Sequence, residues 1–140
     1  CWSANMRERL WIGSLHGVAL GASRGRVHMQ INPADTGDTH VVKAASARTI
    51  EVEMTPLDDH GITDADFIKI DCEGFELDVL VGGRYTIQHS HPCIIVEQKQ
   101  HKLAANYGTK GTPAVDYLKQ MGAVIRKEMG GDYIMSWDQQ

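Results

Sequence analysis

The chain has 140 residues, with 14 Lys and Arg against 18 Asp and Glu and a formal charge of −4 at neutral pH. That length suits one domain, and the charge leaves no large positive field for gripping nucleic-acid phosphates. Apolar residues at 42% and charged residues at 23% argue against disorder, and no apolar run approaches the roughly 20 residues of a membrane helix.

The first residue is Cys1, and Cys1-Trp2-Ser3-Ala4-Asn5-Met6-Arg7-Glu8-Arg9-Leu10 reads as a helix already under way, so the expectation is the C-terminal part of a longer protein. Residues 15–21 look like a buried strand ending in a loop. In 25–31, Val27, Met29 and Ile31 share one face and Arg26, His28 and Gln30 the other, the period-two pattern of a half-exposed antiparallel strand. A loop over 32–38, then His40-Val41-Val42 and an alternating run over 49–54, make 25–54 a β-meander inserted in the domain.

The pattern changes at Asp66-Phe67-Ile68-Lys69-Ile70-Asp71-Cys72, a short, mostly apolar strand that stops in a carboxylate. Leu77, Leu80 and Val81 have helical spacing, and Gly82-Gly83 ends that helix. Cys93-Ile94-Ile95-Val96 is a second buried strand, closed by Glu97. Thr112-Pro113 opens a helix whose apolar face is Val115, Leu118 and Met121 and whose cap is Gly122. Two last strands, around Val124 and Ile134, flank Gly130-Gly131. This order predicts a wound α/β sheet with a final antiparallel hairpin.

Ligands of open α/β sheets sit beyond the carboxyl ends of the parallel strands, where Asp71 and Glu97 fall side by side if the two strands pair in register. Lys69 shares the strand face of Asp71, and a lysine within an apolar central strand requires a carboxylate partner. Glu73 occupies the tight turn, and Gly74 lets the backbone approach a ligand. Plain structural roles compete: Glu76 and Asp78 as helix first-turn acids, Asp71 as an N-cap, Lys69 as an ion-pair partner, Glu97 as a surface loop residue. His89 and His91 lack a third ligand at fixed spacing, so no metal is expected. Cys72 and Cys93, at opposite ends of neighbouring strands about 16 Å apart, are beyond disulfide reach. With three cysteines and no CxxC pair, the chain reads as a protein of the reducing cytoplasm.

The stretch Asp66-Phe67-Ile68-Lys69-Ile70-Asp71-Cys72-Glu73-Gly74-Phe75-Glu76-Leu77-Asp78-Val79-Leu80 resembles the signature of FkbM-family S-adenosylmethionine-dependent methyltransferases. Thr55-Pro56-Leu57-Asp58-Asp59 is similar to that family's Thr-Leu-Asp element. Pro92-Cys93-Ile94-Ile95-Val96-Glu97 is similar to its Pro-apolar-Glu strand, and Val18-Ala19-Leu20-Gly21 to its strand leading to an Ala-Leu turn.

The resemblance implies a Rossmann-like class I methyltransferase sheet, mostly parallel with a reversed last strand. Residues 1–140 would form a single incomplete domain, entered at the helix after the second strand. The glycine-rich cofactor turn and the ribose-holding acid would lie outside the chain, leaving it inactive alone. Two further strands would separate the strand near Val18 from that near Ile70, so both would expose apolar edges and favour aggregation or swapping. The implied cofactor is S-adenosylmethionine, held by Ala19, Leu20 and Asp71. The implied reaction is O-methylation of a small molecule or sugar, with Asp71, Glu73 and Lys69 as the catalytic group and His40, Gly74 and Glu97 at the acceptor; nucleic acid and membrane are not expected partners. Two alternatives stand beside it. Asp71, Glu73 and Glu97 would suit a magnesium-dependent hydrolase, and a degenerate domain would only bind a partner.

Overall fold

Eight short strands and three helices follow one another in the computed structural model, which describes residues 13–30, 40–42, 46, 48–99, 108 and 110–138. Strands β1 (Ala19–Leu20), β2 (Gly25–Gln30), β3 (His40–Val42) and β4 (Thr49–Thr55) come first, and a 3-10 turn spans Leu57–His60. Then come β5 (Phe67–Ile70), α1 (Glu76–Gly82), α2 (Arg84–Ser90), β6 (Cys93–Glu97), α3 (Pro113–Gln120), β7 (Val124–Met129) and β8 (Asp132–Ser136). The helix read over the first ten residues and the loop over 32–38 lie outside the described residues.

These strands form two mixed sheets, in the orders β1-β4-β2-β3 and β5-β6-β8-β7. The α/β class holds, and a single mostly parallel sheet is not seen among the described residues. Among the described residues only β1 with β4 and β5 with β6 run parallel; the other pairs are antiparallel. The final hairpin accounts for the second sheet, because β8 returns beside β6 and carries β7 outward. The first sheet also departs from a simple meander. β4 passes back to the far side of β2, where Met54 and Thr55 pair with Ala19 and Leu20. Among the described residues β1 and β5 each form one edge of their sheet.

The buried core belongs to the second sheet and its helices. Ile94 and Val96 of β6 and Tyr133 and Met135 of β8 alternate inward, the period of two expected for strands. They meet Val79 and Leu80 of α1, Ile87 of α2, and Val115 and Leu118 of α3. Pro113 starts α3 in the first-turn position, and the chain leaves it through Gly122. Met121, read on the apolar face of that helix, is its C-terminal cap residue, and its carbonyl accepts the Trp137 indole N–H at 3.3 Å. Gly130 and Gly131 both take positive φ in the two-residue turn of the β7–β8 hairpin. Among the described residues no helix is long and apolar enough to cross a membrane.

Gly83 breaks the helical run after α1, as the glycine pair indicates, but the chain resumes at once as α2. The N-terminus of α2 has no side-chain cap of its own. Asp58 supplies one from 27 residues upstream, accepting the N–H groups of Tyr85 at 3.0 Å and Thr86 at 2.8 Å. The Thr-Pro-Leu-Asp-Asp segment therefore ties the first sheet's exit to the second sheet's helices. Asp58→Ala is expected to cost about 1 kcal/mol, within the usual range for a lost cap. Asp58→Asn, which keeps an acceptor, should retain most of that; denaturant midpoints of the two variants measure the difference.

Gly82 and Gly21 make the other tie. A Cβ on Gly82 would stand 2.0 Å from the Gly21 carbonyl oxygen and 3.2 Å from the Pro56 Cα, so α1 rests directly on the main chain that leaves β1.

Candidate functional site

β5 and β6 pair as Phe67 with Cys93 through Ile70 with Val96, so the next residues, Asp71 and Glu97, emerge together at the carboxyl ends. The register expected from sequence holds, and with it the separation of Cys72 from Cys93; both thiols are free. Lys69 donates to Asp71 at 3.3 Å. Its side chain is 59% exposed, so the expected cost of burying a lysine in an apolar strand does not arise. Asp71 is not a helix N-cap; Phe75 takes that position of α1, without a side-chain cap.

After Asp71 the backbone turns sharply. Glu73 has φ +52° and Gly74 φ +111°. A left-handed conformation costs a non-glycine residue roughly 1–2 kcal/mol, whereas glycine adopts it freely. Glu76 compensates the turn: its Oε1 accepts the Gly74 N–H at 2.7 Å and the Cys72 N–H at 3.3 Å. Glu76 is only 1% exposed, so it is not the solvent-facing first-turn acid that its place at the start of α1 indicates. Burial raises its pKa, opposed by the Gly74 and Cys72 backbone donors and the Gln98 amide.

Two cavities meet at Asp71. The larger, about 640 Å³, lies between the open edges of β1 and β5. Ala19, Leu20, Lys69, Asp71 and His40 line it, with Phe75 and Val79 from the helix side. Its volume falls within the range of small-molecule pockets. The smaller recess has room for about one water, about 10 Å³, and is bordered by Asp71, Glu73, Gly74, Glu76, Glu97 and Lys99. Ala19 and Leu20 thus join Asp71 on one side, while Glu73, Gly74 and Glu97 join it on the other. His40 does not join Gly74 and Glu97; it stands in the larger cavity, where its Nδ1 is buried without a hydrogen-bond partner.

Lys99 pairs with Glu97, whose carboxylate holds the Lys99 ammonium above its ordinary pKa. Two of the acids of the cluster are therefore engaged by lysines. Among the described residues no three His, Cys, Asp or Glu side chains converge as metal ligands would. The magnesium-hydrolase alternative gains no support from this arrangement. His89 stacks on Tyr85 and His91 on Trp137, so the two histidines face different rings.

Sequence reasoning missed Glu76, Gln98 and Lys99. A signal existed for the first: Glu76, Val79 and Leu80 fall at i, i+3 and i+4, the buried stripe of α1, whereas Val81 is exposed.

Cys72, within this turn, is a poor nucleophile. Burial pushes its thiol up to about 11, and the charges of Glu76, Asp71 and Glu73 add to the shift. Because the thiolate is the reactive form, alkylation of Cys72 at pH 8 is expected to run on the order of 100-fold slower than for a free thiol. Peptide mapping after iodoacetamide treatment measures this, and rapid labelling would contradict the burial described.

The architecture is that of an α/β protein with Asp71 and Glu97 at the carboxyl ends of a parallel strand pair. A solved FkbM methyltransferase from Methylobacillus flagellatus KT has a similar fold, with a TM-score of 0.50 and 22% identity over 87% of this chain. This chain spans 27% of the length of that protein. The methyltransferase FkbM domain description matches residues 9–126, and the chain belongs to that family. Comparison with curated proteins gives no significant match.

Proposed function

We propose that this chain is the catalytic-floor portion of an S-adenosylmethionine-dependent methyltransferase that methylates a hydroxyl oxygen of a small molecule or sugar. The observation that carries the reading is the position of Asp71, which borders both the apolar cavity beside Ala19 and Leu20 and the acidic recess at Glu73, Gly74 and Glu97. Family membership supports methyl transfer as the reaction class.

The residues present fit an adenosyl group. Ala19, Leu20 and Phe75 offer apolar surface for a base, and the orphaned Nδ1 of His40 is a polar atom awaiting a partner. Ala19, Leu20 and Asp71 would hold the cofactor, with further strands seated between the β1 and β5 edges completing its other wall. S-adenosylmethionine, when bound, supplies a methyl group on a sulfonium sulfur. Asp71 orients the acceptor hydroxyl and takes its proton, Lys69 holds the Asp71 carboxylate in place, and Glu73 acts beside it. Gly74 and Glu97 border the acceptor. Among the described residues Cys72 and Cys93 are free thiols, which supports placing the protein in the reducing cytoplasm.

The full-length protein is expected to bind S-adenosylhomocysteine by calorimetry and to transfer a radiolabelled methyl from S-adenosylmethionine to a hydroxyl acceptor in a screen of sugars and small alcohols. Residues 1–140 alone should bind at least about 100-fold more weakly, for want of the opposite wall. A full-length protein that ignores S-adenosylhomocysteine would end this reading.

A further inference from the structure

Two buried polar side chains, Glu76 bonded to the Asp71–Gly74 turn and Gln98 to the start of α3, are left without a role by the methyl-transfer chemistry. Glu76 is 1% exposed and Gln98 2%. Oε1 of Glu76 accepts from Gly74 and Cys72, as described. Oε1 of Gln98 accepts the N–H groups of Ala114 at 3.1 Å and Val115 at 3.4 Å, in the first turn of α3, where Thr112 makes no side-chain cap. The Gln98 backbone N–H donates to the Gly131 carbonyl at 2.7 Å.

One atom of each side chain remains over. Oε2 of Glu76 is a buried acceptor without a partner, and Nε2 of Gln98 is a buried donor without one. Gln98 is flanked in the chain by Glu97 and Lys99, which border the same recess as Glu76, and the helix it caps packs against α1, so the two leftover atoms fall in one neighbourhood. Between a turn and a helix end, an acceptor and a donor this deeply buried are complementary. The recess that Glu76 borders, with Glu97 and Lys99 on its other side, has room for a single water.

We propose that Glu76 and Gln98 form one positioning link, direct or through one water, that holds Asp71 and Glu73 for reaction against the start of α3. An apolar pair would fill this space at lower cost, so its polar character points to the geometry of the turn it supports. The link rests on the methyl-transfer reading, and it deepens it by naming what aims the reacting carboxylates.

The test uses the full-length enzyme and a cycle of E76Q, Q98E and E76Q/Q98E. E76Q sets donor against donor and Q98E sets acceptor against acceptor, whereas the double variant restores the pair with its polarity reversed. Each single variant is expected to lower kcat on the order of 10- to 100-fold while leaving the Kd for S-adenosylhomocysteine within about threefold, and the double variant to recover to within about fivefold of wild type. Wild-type kcat in the singles, or a double variant no faster than the slower single, overturns the proposal. Should both singles fail to fold, a folded and active double variant supports the link and an unfolded one overturns it. If the wild-type protein neither binds S-adenosylhomocysteine nor transfers methyl, the methyltransferase reading falls by itself, and amide exchange decides the link. Q98E must then speed exchange at Cys72 and Gly74, with reversal in the double variant; unchanged exchange there overturns it.

Discussion

Gly82→Ala is expected to lower stability by about 3 kcal/mol, against the usual gain of about 1 kcal/mol when alanine replaces glycine inside a helix. The added methyl would stand 2.0 Å from the Gly21 carbonyl oxygen and 2.9 Å from its carbon. Both are main-chain atoms, so no rotamer change relieves the contact. Either α1 moves away from its sheet or β1 moves away from β4, and each movement opens a packed face. Gly83→Ala is the internal control. Its methyl would meet the Leu57 side chain, with Cδ2 at 2.9 Å, and leucine has room to adjust. In thermal unfolding of the full-length protein the first variant should melt roughly 10 °C lower and the second much less. Equal midpoints for Gly82→Ala and wild type would show that the two sheets do not meet as described.

Asp71→Ala is the second large effect, and it falls on activity. The Lys69–Asp71 pair is exposed, and exposed ion pairs contribute about 0–1 kcal/mol, so the variant should fold as well as wild type. Methyl transfer should nevertheless fall about 100- to 10,000-fold, the range for loss of a general base. Asp71→Asn preserves shape without charge and should lose nearly as much. Measuring S-adenosylhomocysteine affinity in parallel separates the two roles given to this residue. A fall in kcat alone assigns Asp71 to the acceptor, whereas a matching loss of affinity places it on the cofactor. A variant of wild-type rate removes Asp71 from the chemistry.

The part of the site that local pattern could reveal is the part held by adjacent strands. Apolar runs ending in Asp71 and Glu97 point to two strands, which the structure pairs in parallel in the register that brings the two acids together, and Pro113 and Gly130-Gly131 mark a helix start and a turn through their backbone preferences. What escaped depends on groups distant in sequence. Helix α2 is capped by Asp58 from another sheet's exit, so its seven residues carry no start signal of their own. The make-up of the first sheet depends on β4 returning beside β1, a pairing of residues 19–20 with 54–55 that no alternation in either strand encodes. His40 was grouped with Gly74 and Glu97 by resemblance, yet β3 lies on the outer edge of the first sheet and brings it to the other cavity. The burial of Glu76 was legible in helical period and was overridden by the general preference for acids at helix starts.

The contact of Gly82 with Gly21 has a consequence for how this cleft changes between relatives. Binding clefts are commonly resized by exchanging large and small side chains on facing walls. Here the end of α1 and the exit of β1 meet where main chain rests on main chain, so this contact has no side chain to trim. A lineage, or a designer, needing room for a bulkier ligand must find it in the side chains and loops that line the cavity, leaving this joint as a fixed calliper around which the rest of the cleft is rebuilt.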